Sequence, residues 1–503
     1  MLVKFMPGLT EEKRKQIITQ YDCKILEYIE SIDLYRLKVK NKKKIHEIVG
    51  ILNKDIRTEY AELNYTYSPN EKLTETLSGV FSILKDKFIN FLEKNGVGII
   101  LRPNPEEIYK TADNKYDNYI KVAVIDTGVD YTHPELREKI CINKGEIPNN
   151  KKDDDNNGYV DDIIGWDFDL NNNNPAHITG KHGTHVAGII ARSAGNNVRI
   201  MPIRIGKEQM TSDKAAQAIK YAVDNGADVI NLSIGGQYLH SNTLHNAISF
   251  ANKKGVIIIS SSGNDGNIAL HYPAAYKEVI SVGAVDYHGN LYIDTNRGPG
   301  VDIYAPGVDV YSTYPNKRHG VMTGTSMAVP YVSGTVARIK QKNPLLNSTE
   351  IRNIIKDTAG INEIYDNSSL EVVVKEKGIH LEVEEKKYNG SYEIRTLNPE
   401  KAISAAPTVE QTITDLYLRN KNRKPTQQEM SDLKEKVKNK EIVKYDDKLV
   451  KKSEVPNYSI TGNITSKIIS KTTIPPINKK EISPYSPKSN FLSIQNPFTN
   501  KSN

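Results

Sequence analysis

Six short apolar, β-branched runs recur along the middle of this chain: Lys121–Ile125, Val198–Ile203, Asp228–Ser233, Val256–Ser260, Val279–Val282 and Val301–Tyr304. Each is bounded by polar or turn residues, and none alternates cleanly between apolar and polar. A strand with one face in water would alternate, so these runs predict strands buried on both faces. Helical patterns lie between several of them, at Gly183–Ala194, Thr211–Gly226 and Leu244–Gly255, with further helices at Ser326–Lys342 and after Asn347. Strand, helix, strand in repetition predicts an α/β fold with a doubly wound, mostly parallel sheet.

The 503 residues are too many for one hydrophobic core. The first 67 residues read separately, as strand, helix, strand, strand, helix, strand. Thr10 is a plausible N-cap for the first helix, and Ile45, Ile48, Val49 and Leu52 share one face of the second. That order predicts a small ferredoxin-like α+β unit. The chain divides into residues 1–69, a connector at 70–118 with helical apolar spacing over Leu73–Leu92, an α/β domain at 119–406, a helical segment at 407–440 and a tail at 441–503. Within the α/β domain, Ile361–Tyr392 reads as a polar hairpin insertion. From Thr408 onward there are 18 Lys and Arg against 10 Asp and Glu, so the stretch from Thr408 to the end accounts for the whole net charge of +7. The tail is rich in Lys, Ser, Asn and Pro without periodicity, which predicts disorder beyond Glu441. A basic tail could meet a polyanion or a cell surface; a solvated extension is the plainer reading, and no nucleic acid partner is expected.

No stretch of 18 apolar residues occurs, so no spanning helix is predicted. Met1 leads directly into a strand pattern, with no visible signal peptide. Three expectations stay open: action inside a cell, a start further upstream, or export by another route. Cys23 and Cys141 fall in different units, which argues against a disulfide between them.

Three segments carry chemistry. They are Val124-Ile125-Asp126-Thr127-Gly128, His182-Gly183-Thr184-His185-Val186-Ala187-Gly188 and Gly324-Thr325-Ser326-Met327-Ala328. Serine is a weak nucleophile unless a base takes its proton, and an imidazole is a useful base only when something orients it. Asp126, His182 and Ser326 supply carboxylate, imidazole and hydroxyl. Asp126 ends a predicted strand, where open α/β sheets place their ligands. His182 and Ser326 each open a helix.

Together the three segments resemble the subtilisin-like serine proteases. The resemblance implies an Asp/His/Ser triad that hydrolyses peptide bonds through an acyl-enzyme, with no cofactor in the chemistry. It also makes Asn264, in Ser262-Gly263-Asn264-Asp265-Gly266, the side-chain donor of an oxyanion hole. In that reading Ser233, Ile234 and Gly235 bind the backbone of protein or peptide substrates. His185, three residues past His182, takes a structural role. The first 67 residues resemble the inhibitory prodomain that precedes many of these enzymes, through Val3-Lys4-Phe5 with Pro7-Gly8 and Glu59-Tyr60-Ala61-Glu62 with Asn64-Tyr65. A zymogen follows, bound by its own prodomain and cutting itself between Tyr65 and Asn70 or slightly later. The chain departs from the family pattern at Lys181, Val329, Tyr331 and Ser333, and the usual Trp-containing signatures before Lys121 are missing. A silent binding protein on the same scaffold is the rival class, and the intact residue set argues against it.

Asp153-Asp154-Asp155-Asn156-Asn157-Gly158 sets oxygen ligands at alternate positions before a glycine, as calcium loops do. The glutamate expected at loop position 12 is missing, and Ile164 stands there. Asp153, Asp155, Asn157, Asp161 and Asp162 are the candidate ligands of a structural Ca2+, with a solvated acidic loop as the alternative.

Overall fold

The computed structural model describes residues 1–69 and 119–454, apart from 177–179, 208–209, 237–239, 367–369, 378–379, 388 and 446. The expected helix over Leu73–Leu92 and the chain beyond residue 454 lie outside the described residues.

The N-terminal unit runs β1 (Leu2–Phe5), α1 (Glu11–Gln20), β2 (Cys23–Ile29), β3 (Leu34–Val39), α2 (Ile45–Leu52) and β4 (Thr58–Glu62). Its four strands pair antiparallel in the order β2-β3-β1-β4, the ferredoxin-like arrangement. Thr10 caps α1 by accepting from Lys13 N. Val3, Phe5, Ile17, Leu37 and Leu52 close a core of their own. A further strand, β5 (Thr66–Pro69), leaves this sheet altogether.

The second unit carries β6 (Ile120–Asp126), β7 (Trp166–Asp167), α3 (His182–Ser193), β8 (Val198–Arg204), β9 (Met210–Thr211), α4 (Ser212–Asp224), β10 (Val229–Leu232), β11 (Ile234–Gly235), α5 (Asn242–Lys253), β12 (Ile257–Ser261), β13 (Val279–Val285) and β14 (Ile303–Pro306). A hairpin β15 (Val310–Tyr314) and β16 (Arg318–Met322) precedes α6 (Thr325–Lys342) and α7 (Ser348–Asp357). The polar insertion forms β17 (Gly360–Asp366), β18 (Leu370–Lys377), β19 (His380–Lys387) and β20 (Gly390–Thr396), followed by the short helix α8 (Pro399–Ala405). Nine strands make one sheet in the order β17-β20-β14-β13-β12-β10-β6-β8-β7. All its pairings are parallel except β17 with β20 at one edge.

Both faces of the sheet are covered, as the continuous apolar runs required. Along β6 the side chains alternate between two cores: Ile120, Val122 and Val124 face one, Ala123 and Ile125 the other. The first core is roofed by α3 and α6, the second by α4 and α5. Burying each such branched side chain contributes about 1.5–3 kcal/mol before chain entropy is counted. From the N-terminal stretch, Leu2, Ile32, Leu34, Tyr60 and Tyr67 join the second core. The N-terminal unit therefore sits on the α4/α5 face.

The helical segment forms as expected, with α9 (Val409–Lys421) and α10 (Gln427–Lys438), each opened by a capping box. The expectation of disorder beyond Glu441 needs correction for its first residues. Ile442–Tyr445 and Lys448–Lys451 pair as a hairpin, β21 and β22. Ile442 packs with Leu345, Ile413 and Val437, and Lys440 pairs with Asp228 at 3.0 Å. Composition alone missed this because four buried apolar side chains outweigh a lysine-rich surround.

Candidate active site

The carboxyl ends of β6, β10 and β12 and the N-termini of α3 and α6 converge, and the predicted residues lie on them. Asp126 is the last residue of β6 and His182 the first of α3. His182 Nδ1 meets Asp126 Oδ1 at 2.7 Å, with both side chains almost fully buried. A bond at Nδ1 sets the ring proton there and leaves Nε2 as the basic nitrogen. The same Asp126 oxygen accepts from Thr127 N at 2.6 Å. Gly183 is required for this approach: a Cβ on it would stand 2.3 Å from the Gly128 carbonyl and 3.0 Å from Asp126 Oδ1.

Ser326 lies in the first turn of α6, fully buried, and is tied reciprocally to Ser233. Ser326 Oγ donates to the Ser233 carbonyl at 2.9 Å, and Ser233 Oγ donates to the Ser326 carbonyl at 2.9 Å. Pro330 explains why that carbonyl is available. It stands inside α6 four residues on, and having no N–H it cannot close the helical bond to Ser326. Asn231 Nδ2 donates to Ser233 Oγ at 3.0 Å, and Ser333, one of the departures from the family pattern, donates to Asn231 Oδ1 at 2.9 Å. Ser326 thus rests on the strand end beside it, and no direct hydrogen bond joins it to His182 here.

Asn264 comes from the loop after β12. Its Oδ1 accepts from Thr325 N and Thr325 Oγ1, both at 3.0 Å. Those bonds fix which end of the amide is which. Nδ2 is consequently left buried with no partner among the described residues. An unpaired buried N–H is costly, so its presence beside the Ser326 turn marks a place kept for an acceptor. Sequence reading found Asn264 but not Thr325, whose ordinary turn chemistry carries no signal.

The Ser233–Gly235 edge is already occupied. β5 pairs antiparallel with β11, Pro69 opposite Ile234 and Ser68 opposite Gly235, and on its other side with β9, Tyr67 opposite Met210. Tyr67 is buried. The N-terminal unit also caps two helices of the second unit. Glu62 accepts from Ser241 Oγ at 2.8 Å and from the first amides of α5, Asn242 N at 2.7 Å and Thr243 N at 3.1 Å. Burial pushes the Glu62 carboxyl up from its ordinary range, against those donors. Asn64 accepts from Ser212 Oγ at 3.0 Å at the start of α4. Both contacts were invisible in the sequence, because they exist only once the two units dock.

His185 takes a structural place: Nε2 meets the Val310 carbonyl at 2.8 Å, and burial pushes its pKa down to about 3. The acidic loop is less uniform than its sequence. Asp153 accepts from Asn157 N and Gly158 N, and Asp161 from Asn150 N and Lys151 N, so these two hold the loop's own backbone. Asp155 and Asp162 instead gather with Glu146, one oxygen from each lying within 4.8 Å of the others. Burial pushes Asp162 up to about 7 and Glu146 up as well. Asn157 Nδ2 donates to Asp162 at 3.0 Å. Three hard oxygen donors suit a calcium-type cation. Glu146, seven residues ahead of the acidic run, has no fixed spacing that would have found it.

A buried carboxylate–imidazole pair, a serine at a helix start and an open amide donor, all at the switch end of a parallel sheet, define a serine hydrolase of the α/β class. Residues 117–392 match the Subtilase family, and residues 1–64 match the Fervidolysin N-terminal prodomain. The chain belongs to the subtilase family and is a subtilisin-like serine protease. It is 35% identical over 339 residues to a thermophilic serine proteinase of Bacillus sp. (strain AK1), covering 64% of this chain and 72% of that one. It is 36% identical over 251 residues to subtilisin BL of Lederbergia lenta, covering 48% and 83%. In structure it is similar to fervidolysin from Fervidobacterium pennivorans, described as a keratinolytic enzyme related to subtilisin. That match has a TM-score of 0.53 at 23% identity and covers 81% of this chain and 61% of fervidolysin.

Proposed function

We propose that this protein is a zymogen that cuts peptide bonds, its own first, with Asp126, His182 and Ser326 as triad and Asn264 as oxyanion donor. The observation that carries the reading is β5, a piece of the chain itself lying in antiparallel register on the Ser233–Gly235 edge. Main-chain pairing of this kind holds any extended peptide, whatever its side chains.

In this reading Ser326 Oγ turns from the Ser233 carbonyl toward His182 Nε2 and attacks the substrate carbonyl. His182 takes the proton, and Asp126 holds the ring in the right tautomer without taking the proton itself. The carbonyl oxygen, now charged, accepts from Asn264 Nδ2 and the Ser326 N–H. His182 then protonates the leaving amine, and water releases the acyl group by the same steps.

The bond cut is the one after Asn70. Asn70 lies outside the described residues; the described ladder ends with Ser68 on Gly235 and Pro69 on Ile234. In sequence Asn70 follows directly on this strand, and the next residue of the edge beyond Ile234 is Ser233, whose carbonyl holds the Ser326 hydroxyl. The cut would leave residues 1–70 as an inhibitor held through Glu62, Asn64 and Tyr67. Calcium at Glu146, Asp155 and Asp162 would brace the loop and supply no chemistry to the reaction. N-terminal sequencing of the matured protein tests the assignment. The wild type should begin at Glu71, while Ser326→Ala stays full length; a Ser326→Ala protein that matures identically would refute it.

A further inference from the structure

We infer that His271, braced by Asp265, makes the pocket for the residue before the cut polar, so that the enzyme prefers an amide side chain, asparagine above all, at that position. The inference rests on the proposed cut and deepens it.

Three described segments wall the pocket in this reading. One is the Ser233–Gly235 edge. Another is the turn Ser262-Gly263-Asn264, which carries the oxyanion donor. The segment His271-Tyr272 closes the third side by bonding to both: His271 N donates to Ser262 O at 2.8 Å, and Tyr272 and Gly236 exchange backbone bonds at 3.0 and 3.1 Å. The imidazole lies directly on Gly263. A Cβ built there would stand 2.7 Å from the ring, and the backbone holds φ at +118°, so glycine is needed twice over. Nothing larger at position 263 could admit the ring there.

His271 is 7% exposed. Its Nε2 is hydrogen-bonded to Asp265 Oδ2, which also receives Asn296 Nδ2 at 3.4 Å. Its Nδ1 is buried and has no partner among the described residues. With the ring proton drawn to Nε2 by a carboxylate, Nδ1 is a lone-pair acceptor in want of a donor. An apolar side chain in the pocket would leave it unpaired at full cost, whereas an amide NH2 would satisfy it. The chain supplies that chemistry itself: the residue following Pro69 is Asn70. A carboxylate side chain would set its charge near Asp265, so the amide is favoured over the acid.

The test uses the matured protein and fluorogenic tetrapeptides that differ only in the last residue before the cut, with labelling by a fluorophosphonate to count active molecules. Asparagine should exceed leucine and phenylalanine by about tenfold or more in kcat/KM. His271→Leu should reverse that order. His271→Gln, which keeps a hydrogen-bonding group, should retain the amide preference and guards against a misfolded leucine variant. A wild type that prefers leucine or phenylalanine, or a preference that His271→Leu leaves in place, overturns the inference while the triad stands. A wild type that neither labels nor cuts any peptide overturns the inference together with the proposed function beneath it.

Discussion

Two kinds of carboxylate divide this molecule. Asp126 has one oxygen spent on His182 and Thr127, while its other is buried with no partner among the described residues. In the acidic loop, Asp153 and Asp161 are saturated by backbone amides of their own loop. The residue types are the same and the surroundings differ. Where a carboxylate's donors come from its own loop, it holds a shape. Where its donor is an imidazole from a distant helix, it orients a base, and the neighbouring Asn264 amide is likewise left open. Unsatisfied polar atoms are expensive, so a fold keeps them where a ligand completes them.

The sharpest way to break this contrast is Asp126→Asn. Turnover should fall by about 10⁴, since the imidazole loses the group that fixes its tautomer, while the melting temperature moves little. A variant that stays active but melts early would move Asp126 into the structural set. Next comes Asn264→Ala, measured as kcat on a peptide substrate. A loss of about 10²–10³ with KM nearly unchanged is expected, a size taken from the side-chain donor of subtilisin. Glu62 tests a carboxylate that serves the interface. Glu62→Ala in the separate prodomain strips the cap from α5, and its inhibition constant against the matured enzyme should rise about 10- to 100-fold. An unchanged constant would make the cap incidental.

In the acidic loop the expected effects are smaller. Calcium in excess should raise the melting temperature by about 5 °C, with no change in kcat at a temperature where both forms are folded. Glu146→Gln should abolish that response. A response that survives Glu146→Gln and Asp162→Asn would place the cation elsewhere. Smallest of all, Lys440→Ala removes a partly exposed pair with Asp228 and should cost about 0–1 kcal/mol in chemical denaturation.

Much of this was legible in the residue order. Runs such as Val122–Ile125 had to be buried on both faces, and an alternating series of strands and helices leaves few ways to cover such a sheet. Asp126, His182 and Ser326 stood out because three short segments offer carboxylate, imidazole and hydroxyl in one order, and Asn264 stood out only through the resemblance those segments carry. Thr325 and Glu146 did not stand out. Their roles depend on atoms contributed by residues far away in sequence, and no local pattern records such contacts. The hairpin at Ile442–Lys451 escaped for the same reason: Val437 and Ile442 are apolar only in the company of Leu345 and Ile413.

By itself the sequence determined the fold class and the chemical groups available, because periodicity and small-residue motifs are local and survive without a partner. The tertiary structure alone decided which polar atoms were satisfied and which stayed open. It tied Ser326 to Ser233, set β5 on the Ser233–Gly235 edge and left His271 Nδ1 buried with no partner among the described residues. Hydrogen-bond satisfaction is a property of packed neighbours, and packing is settled only when distant segments meet.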